Sequence, residues 1–240
     1  MTAVGMVHRL PPARVVDRIE FILDLCRGKR VVHLGCADHG FRREQLDSGT
    51  FLHSRLAEVS RELVGLDLDR EGVEEMRSMG WDVHLADCTD GAQVRRLELE
   101  PADVVVAGEL LEHVERPGDL LDAVAPLVAE GGRLVITTPN AYGWVNPFAA
   151  LARVEINHPE HLHMFTARTL TALLSRHGWD VETISTYVPR LRASLGSTPG
   201  RGRVLWWAAR TALAFERLVA RTVSPYVADG LIVVARSSGR

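Results

Sequence analysis

Apolar positions along this chain recur with two periods. Short, mostly apolar runs at Arg30–Leu34, Leu63–Asp67, Trp81–Ala86, Asp103–Ala107, Gly132–Thr137, Trp179–Thr186 and Gly230–Ala235 read as buried strands. Segments of helical spacing lie between them. The first follows Pro11 and Pro12, with Val15, Val16, Ile19, Ile22 and Leu23 on one side, and Gly28 stops it. Others are Phe51–Ser60, Arg70–Met79, Pro117–Ala129 and Thr166–His177, the last with Thr166 placed to cap it. Strands alternating with helices predict an α/β chain: a doubly wound, mainly parallel seven-stranded sheet covered on both faces. Such sheets bind ligands beyond the carboxyl ends of their strands, where the strand order reverses. The alternation breaks between Val188 and Ala228, before the last strand. There Pro189–Gly202 reads as a loop and Arg203–Thr222 as an amphipathic helix. Arg203, Arg210, Arg217 and Arg221 stand nearly in line, Trp206, Trp207 and Leu218 flank them, and Leu205, Phe215 and Val219 face the other way.

Composition narrows the picture only a little. At 240 residues the chain suits a single domain over 1–240 with this insert at about 188–228, and 46% hydrophobic with 25% charged residues is ordinary for a globular protein. A formal net charge of -3 argues against a whole-surface nucleic-acid binder. The insert is the exception, with seven arginines and Glu216 as its one acid. Three readings fit it: a lid helix with a solvated Arg face, an acceptor platform of Trp and Arg, or a peripheral membrane or dimer surface. Cys26, Cys36 and Cys88 are odd in number and scattered, which fits a reducing cytoplasm and no disulfide framework. Met1–Leu10 lacks the apolar run of a signal peptide, and no segment is apolar for long enough to span a bilayer.

Three strand ends carry the first candidate chemistry. The first strand runs into Gly35-Cys36-Ala37-Asp38-His39-Gly40, a small-residue turn that lets backbone approach a ligand. The second ends in Asp67-Leu68-Asp69, where an acid can accept hydrogen bonds from both hydroxyls of a ribose. The third ends in Asp87-Cys88, placed to flank an adenine. In this order and spacing, Val31 to Asn140 resembles the class I S-adenosylmethionine-dependent methyltransferases, which have a Rossmann-like fold. The likeness extends over roughly 13–187 and resumes at the last strand. It implies S-adenosylmethionine as cofactor, held by Gly35, Cys36, Ala37, Gly40, Asp67, Leu68, Asp87, Cys88 and Glu109. The chain departs from the family where His33 stands in place of an acid, and where Gly35-Cys36-Ala37 replaces a tighter Gly-x-Gly. A nicotinamide-dinucleotide site would need Gly-x-Gly-x-x-Gly opening directly into a helix, which this sequence lacks.

The second candidate is Glu109-Leu110-Leu111-Glu112-His113 after the fourth strand. A helix starting near Glu109 would put Glu109, Glu112 and His113 on one face, a partial metal site. Downstream, Asn157-His158-Pro159-Glu160-His161-Leu162-His163 concentrates histidines in a loop expected to reach back over the site. This pairing is similar to metal-using small-RNA 2′-O-methyltransferases and ubiquinone-pathway O-methyltransferases. That resemblance implies a divalent metal on Glu109, Glu112, His113 and His161, with His158 and His163 as alternates for the last position. Ligand softness favours Mn²⁺, Fe²⁺, Co²⁺ or Zn²⁺, and cellular abundance favours Mg²⁺. A metal-free reading stands beside it, with Glu109 on the cofactor, Glu112 solvated and His113 packed. Hydroxyl activation makes His113, His158 and His161 the catalytic candidates, and Asn140, Tyr142 and His163 are expected to contact the acceptor. A weaker likeness to bacterial glycan methyltransferases points to a hydroxyl of a sugar, glycan or small metabolite. An RNA ribose and a non-catalytic cofactor- or partner-binding domain are the alternatives.

Overall fold

The structure, a computed structural model, describes residues 7–38, 40, 42–190 and 201–239, and of 201–205 and 208 only the backbone. His39, most of the expected Pro189–Gly202 loop, and the Arg203 and Leu205 side chains lie outside that description. Seven strands form one sheet in the order β3-β2-β1-β4-β5-β7-β6: β1 (Arg30–Leu34), β2 (Glu62–Asp67), β3 (Val83–Leu85), β4 (Ala102–Gly108), β5 (Val128–Pro139), β6 (Trp179–Tyr187) and β7 (Gly230–Ser237). The order reverses between β1 and β4, so the carboxyl ends of these two strands open the crevice predicted for a ligand. The sheet is mixed. β7 inserts between β5 and β6 and runs antiparallel to both, a reversal that the mainly parallel reading did not locate.

Successive side chains of the central strands point to opposite faces, and both faces are covered. Val31, Val104, Val106 and Val135 pack with α1 (Arg18–Cys26) and α3 (Leu52–Val59), through Ile22, Leu23 and Leu56. Val32, Leu34, Val105, Ala107, Leu134 and Ile136 pack on the other face, against Leu120, Leu121 and Val124 of α6 (Pro117–Val124) and Leu170 and Leu174 of α8 (Ala167–Arg176). Thr166 caps α8, its hydroxyl accepting from Thr169 N at 3.1 Å. The described residues also form α2 (Arg42–Asp47), α4 (Arg70–Ser78), α5 (Gly91–Arg96), α7 (Val145–Leu151) and α9 (Arg201–Thr222).

Two boundaries move for local reasons. The first helix starts at Arg18, not Val15, because the Asp17 carboxylate accepts from Ile19 N and Glu20 N at 3.1 and 3.2 Å. Val15 and Val16 instead pair with β6, Val16 N donating to Thr186 O at 2.8 Å. The helix expected over Pro117–Ala129 ends at Val124, since Pro126 cannot continue an α-helical ladder. Residues Ala125–Leu127 form a 3₁₀ turn, and β5 begins at Val128.

α9 is tied to the sheet by a buried acid. Glu216 is fully buried and accepts from Asp229 N at 2.9 Å, with the Trp144 indole beside it. Burial, with Asp229 nearby, pushes its carboxyl up to about 7 from an ordinary 4.5. The unfolded chain therefore loses this proton at lower pH than the folded chain. Stability is full below about pH 4.5 and falls as pH rises toward 7. Glu216→Gln is expected to remove this loss. Urea midpoints of the variant should fall less than those of the parent between about pH 5 and about pH 8, with a gain on the order of 1–3 kcal/mol over the parent at the upper end.

Candidate active site at the carboxyl edge

The turn after β1 is shaped for close approach. Gly35 has φ +64°, and a Cβ there would stand 3.0 Å from Leu110 Cδ1. The turn is anchored by Asp67, whose carboxylate accepts from Ala37 N at 2.7 Å and Asp69 N at 2.8 Å. One acid at the end of β2 thus fixes the glycine turn and retains lone pairs for a ligand. Cys36 and Cys88 are buried walls, and burial pushes the Cys88 thiol up to about 12, so neither is a nucleophile near neutral pH. Gly40 also takes positive φ, with open space around it. Leu68, 71% exposed, overhangs a groove of about 180 Å³ that Leu85, Asp87 and Gln93 share. Asp87 Oδ1 accepts from Thr89 N at 2.8 Å and Thr89 Oγ1 at 2.7 Å, which holds the turn after β3.

His33, found where the family has an acid, is buried against His53 with their Nδ1 atoms 3.2 Å apart. Burial holds both imidazoles below the ordinary histidine range, His53 at about 4. A neutral pair of opposite tautomers therefore stacks here under the sheet edge, one ring donating and the other accepting.

The segment after β4 is a turn and not a helix, so the shared face expected for Glu109, Glu112 and His113 does not form. Glu109 takes φ +54°, and its N–H reaches Thr137 O at 2.9 Å and Thr137 Oγ1 at 3.1 Å. Its carboxylate accepts from the Tyr187 hydroxyl at 2.5 Å and stands 4.0 Å from Arg18 Nε, which itself donates to Thr137 Oγ1 at 3.0 Å. Glu112 is fully buried, not solvated. Among the described residues no hydrogen-bond partner meets its carboxylate, and burial with Glu109 close by pushes it up to about 8.

The donors that do converge are His113, His158 and His161, each with one ligand atom within 4.8 Å of the others; Glu109 and Glu112 stand outside this group. Asn157 Oδ1 lies 2.7 Å from His161 Nδ1 and so assigns the proton to that nitrogen, leaving Nε2 with a lone pair. Burial and the neighbouring imidazoles hold His113 and His161 below the ordinary histidine range. His158 and His161 line a cleft of about 420 Å³, together with Glu109, Asn146, Ile156, Met164, Tyr187 and Asp229. This cleft lies at the ends of β4, β5 and β6, where Glu109, Pro139 and Tyr187 line it, and the groove under Leu68 lies at the ends of β2 and β3.

The expected acceptor contacts fare differently. Asn140 borders the cleft, but its side-chain amide donates to Tyr226 O and Ala228 O at 2.8 Å each, which makes it a structural clamp. Tyr142 is 57% exposed and outside the cleft lining. His163 turns away, its Nε2 lying 3.2 Å from Glu115 O. Arg18, Tyr187 and Asn157 were not singled out by sequence. Only Arg18 leaves a signal there: it stands four residues before Ile22, a charge on the apolar side of a helix.

A family described as a methyltransferase domain matches residues 6–184. The ubiquinone biosynthesis O-methyltransferase of Proteus mirabilis is 30% identical over 137 residues, covering 56% of this chain and 51% of that protein. Its namesake from Aeromonas salmonicida is 29% identical over 154 residues, covering 62% and 57%. The chain thus spans about half the length of these curated relatives. Among solved structures, a SAM dependent methyltransferase from Archaeoglobus fulgidus superposes with a TM-score of 0.54 at 17% identity, over 90% of this chain and 89% of that one. Magnesium protoporphyrin IX methyltransferase from Synechocystis, with bound SAH, gives 0.54 at 12% identity, over 90% and 80%. These two likenesses concern the fold alone.

Asp67 carries the most direct expectation. By isothermal titration, Asp67→Ala is expected to weaken S-adenosylhomocysteine binding by about tenfold or more, with an unchanged far-ultraviolet circular dichroism spectrum. Unaltered affinity would remove Asp67 from the cofactor site.

Proposed function

The chain belongs to the methyltransferase-domain family, and from that premise we propose that it transfers the methyl group of S-adenosylmethionine to a hydroxyl of a small metabolite. The observation that carries the hydroxyl acceptor is the convergence of three imidazoles, two of which, His158 and His161, line the cleft at the carboxyl edge of the sheet. The groove fits the cofactor on its own features: a left-handed turn at Gly35, an acid at the end of β2, and an exposed Leu68 over the space beside β3. Bound there, the cofactor supplies a methyl group on a sulfonium that leaves readily. The protein's part is alignment and proton removal. His161 Nε2, oriented by Asn157, is the acceptor of the hydroxyl proton in this reading, and Glu109 holds the boundary between groove and cleft.

The same histidines fit a divalent ion. His113, His158 and His161 are a neutral imidazole set suited to Zn²⁺, Fe²⁺ or Mn²⁺ over Mg²⁺, and an ion on them would lower the pKa of a bound hydroxyl. The relatives' name, ubiquinone biosynthesis O-methyltransferase, supports a small hydroxylated acceptor. The lining does too, with Val145, Ile156 and Met164 for an apolar face and Asn146 and Asp229 for polar groups. A sugar hydroxyl falls within the same reading. An RNA ribose is less well served, since the cleft lining contains no Lys or Arg among the described residues.

Turnover is best followed as S-adenosylhomocysteine release over a panel of phenols and sugars. His161→Ala and His113→Ala should each lower kcat by about a hundredfold or more on the best acceptor. With an ion on these histidines His161 is its ligand and not the base, and both variants should then lose the metal on elemental analysis, with chelation of the parent reproducing the loss of turnover. If both variants keep full turnover on an acceptor the parent methylates, the histidine wall has no part in the reaction.

A further inference from the structure

We propose that α9 and α7 together form a surface that docks on an anionic phospholipid bilayer. On α9 the outward positions follow helical spacing: Trp207, Arg210, Ala214, Leu218 and Arg221 are all exposed, with Arg217 and Phe215 flanking them. Trp207, Phe215 and Leu218 are 57%, 51% and 58% exposed, large apolar side chains left in water. The face is also of one sign. The acid of α9, Glu216, is fully buried on the opposite side, so the exposed charges among the described α9 residues are arginines.

The apolar surface continues beyond α9. Trp144 packs against Phe215 at 5.3 Å and against Phe148 at 5.5 Å between ring centroids. Phe148 and Leu151 on α7 are 60% and 82% exposed. Two helices therefore present one contiguous apolar patch with a cationic border, where singly scattered apolar residues would need no explanation. Arg210 lies over the Trp206 and Trp207 rings, 5.3 and 5.6 Å from their centroids, an arrangement that keeps charge and aromatic surface at the same depth.

Charge decides the occupant. A second copy seated on this face by a two-fold axis would set Arg210, Arg217 and Arg221 against the same three side chains, with no exposed carboxylate on the described part of α9 to pair them. Lipid phosphates neutralise the arginines while the acyl boundary takes up Trp207, Phe215 and Leu218. No helix is long and apolar enough to cross a membrane, so α9 would lie in the interface plane.

Vesicle flotation of the full chain tests this. With equimolar phosphatidylcholine and phosphatidylglycerol the protein should float, with phosphatidylcholine alone it should not, and added salt should release it. Arg210→Gln, Arg217→Gln and Arg221→Gln combined should weaken partitioning by about a hundredfold. Trp207→Ser with Leu218→Ser should also abolish flotation, as should Phe148→Ser with Leu151→Ser on the separate helix α7. S-adenosylhomocysteine affinity and circular dichroism should match the parent in all three. The proposal is overturned if the parent does not float with the anionic vesicles, or if folded variants float as the parent does. It is equally overturned if sedimentation velocity shows a parent dimer that the Trp207→Ser, Leu218→Ser variant splits.

Discussion

Glu109 sits in the left-handed region of backbone space, where a residue with a side chain costs about 1–2 kcal/mol, so surrounding bonds must hold it there. They come from every element that meets at this edge. Thr137 of β5 takes its N–H, Tyr187 of β6 donates to its carboxylate, and Arg18 of α1 stands by with its guanidinium on the same threonine. Gly108 is part of the arrangement, because a Cβ there would come within 3.0 Å of an Arg18 terminal nitrogen. The sharp exit from β4 sends the chain into a turn, lays Leu110 over Gly35, and buries Glu112 behind the site. It also delivers His113 to the histidines of the later loop. Glu109 itself forms part of the cleft wall.

The parts of the fold that read directly from sequence are those where burial leaves one choice. β1 and β4 are buried almost throughout because helices cover both faces, and Val31–Leu34, broken only by His33, and Val104–Ala107 announce this as apolar runs. Thr166 was readable as a cap because its hydroxyl acts within its own turn. The hold of Asp67 on the turn was not readable, since the sequence offered it a ribose and gave no sign of its bond to Ala37 N, 30 positions away. Nor was the reversal of β7, since an apolar strand looks alike in either direction.

The acceptor side was harder to read because it depends on contacts between distant segments. A spacing of three and four residues at Glu109, Glu112 and His113 suggests a helical face, yet the backbone bonds to Thr137, 28 positions away, override that local preference. Of the loop histidines, His161 is selected by Asn157 and His163 is diverted by Glu115, and neither partner can be inferred from the histidines themselves. Asn140 and Tyr142 looked like acceptor contacts from their place after β5, but the Asn140 amide is consumed by backbone carbonyls of the 3₁₀ turn Pro225–Val227 and its flank.

The account rests on one spatial claim: cofactor along β1, β2 and β3, acceptor over β4, β5 and β6, and Glu109 between them. A crystal structure with S-adenosylhomocysteine tests it most directly. The account predicts both ribose hydroxyls on Asp67, the adenine beside Leu68 and Asp87, and the sulfur directed past Glu109 toward His113 and His161. A nucleoside seated in the histidine-lined cleft, or a sulfur directed away from it, would contradict the account.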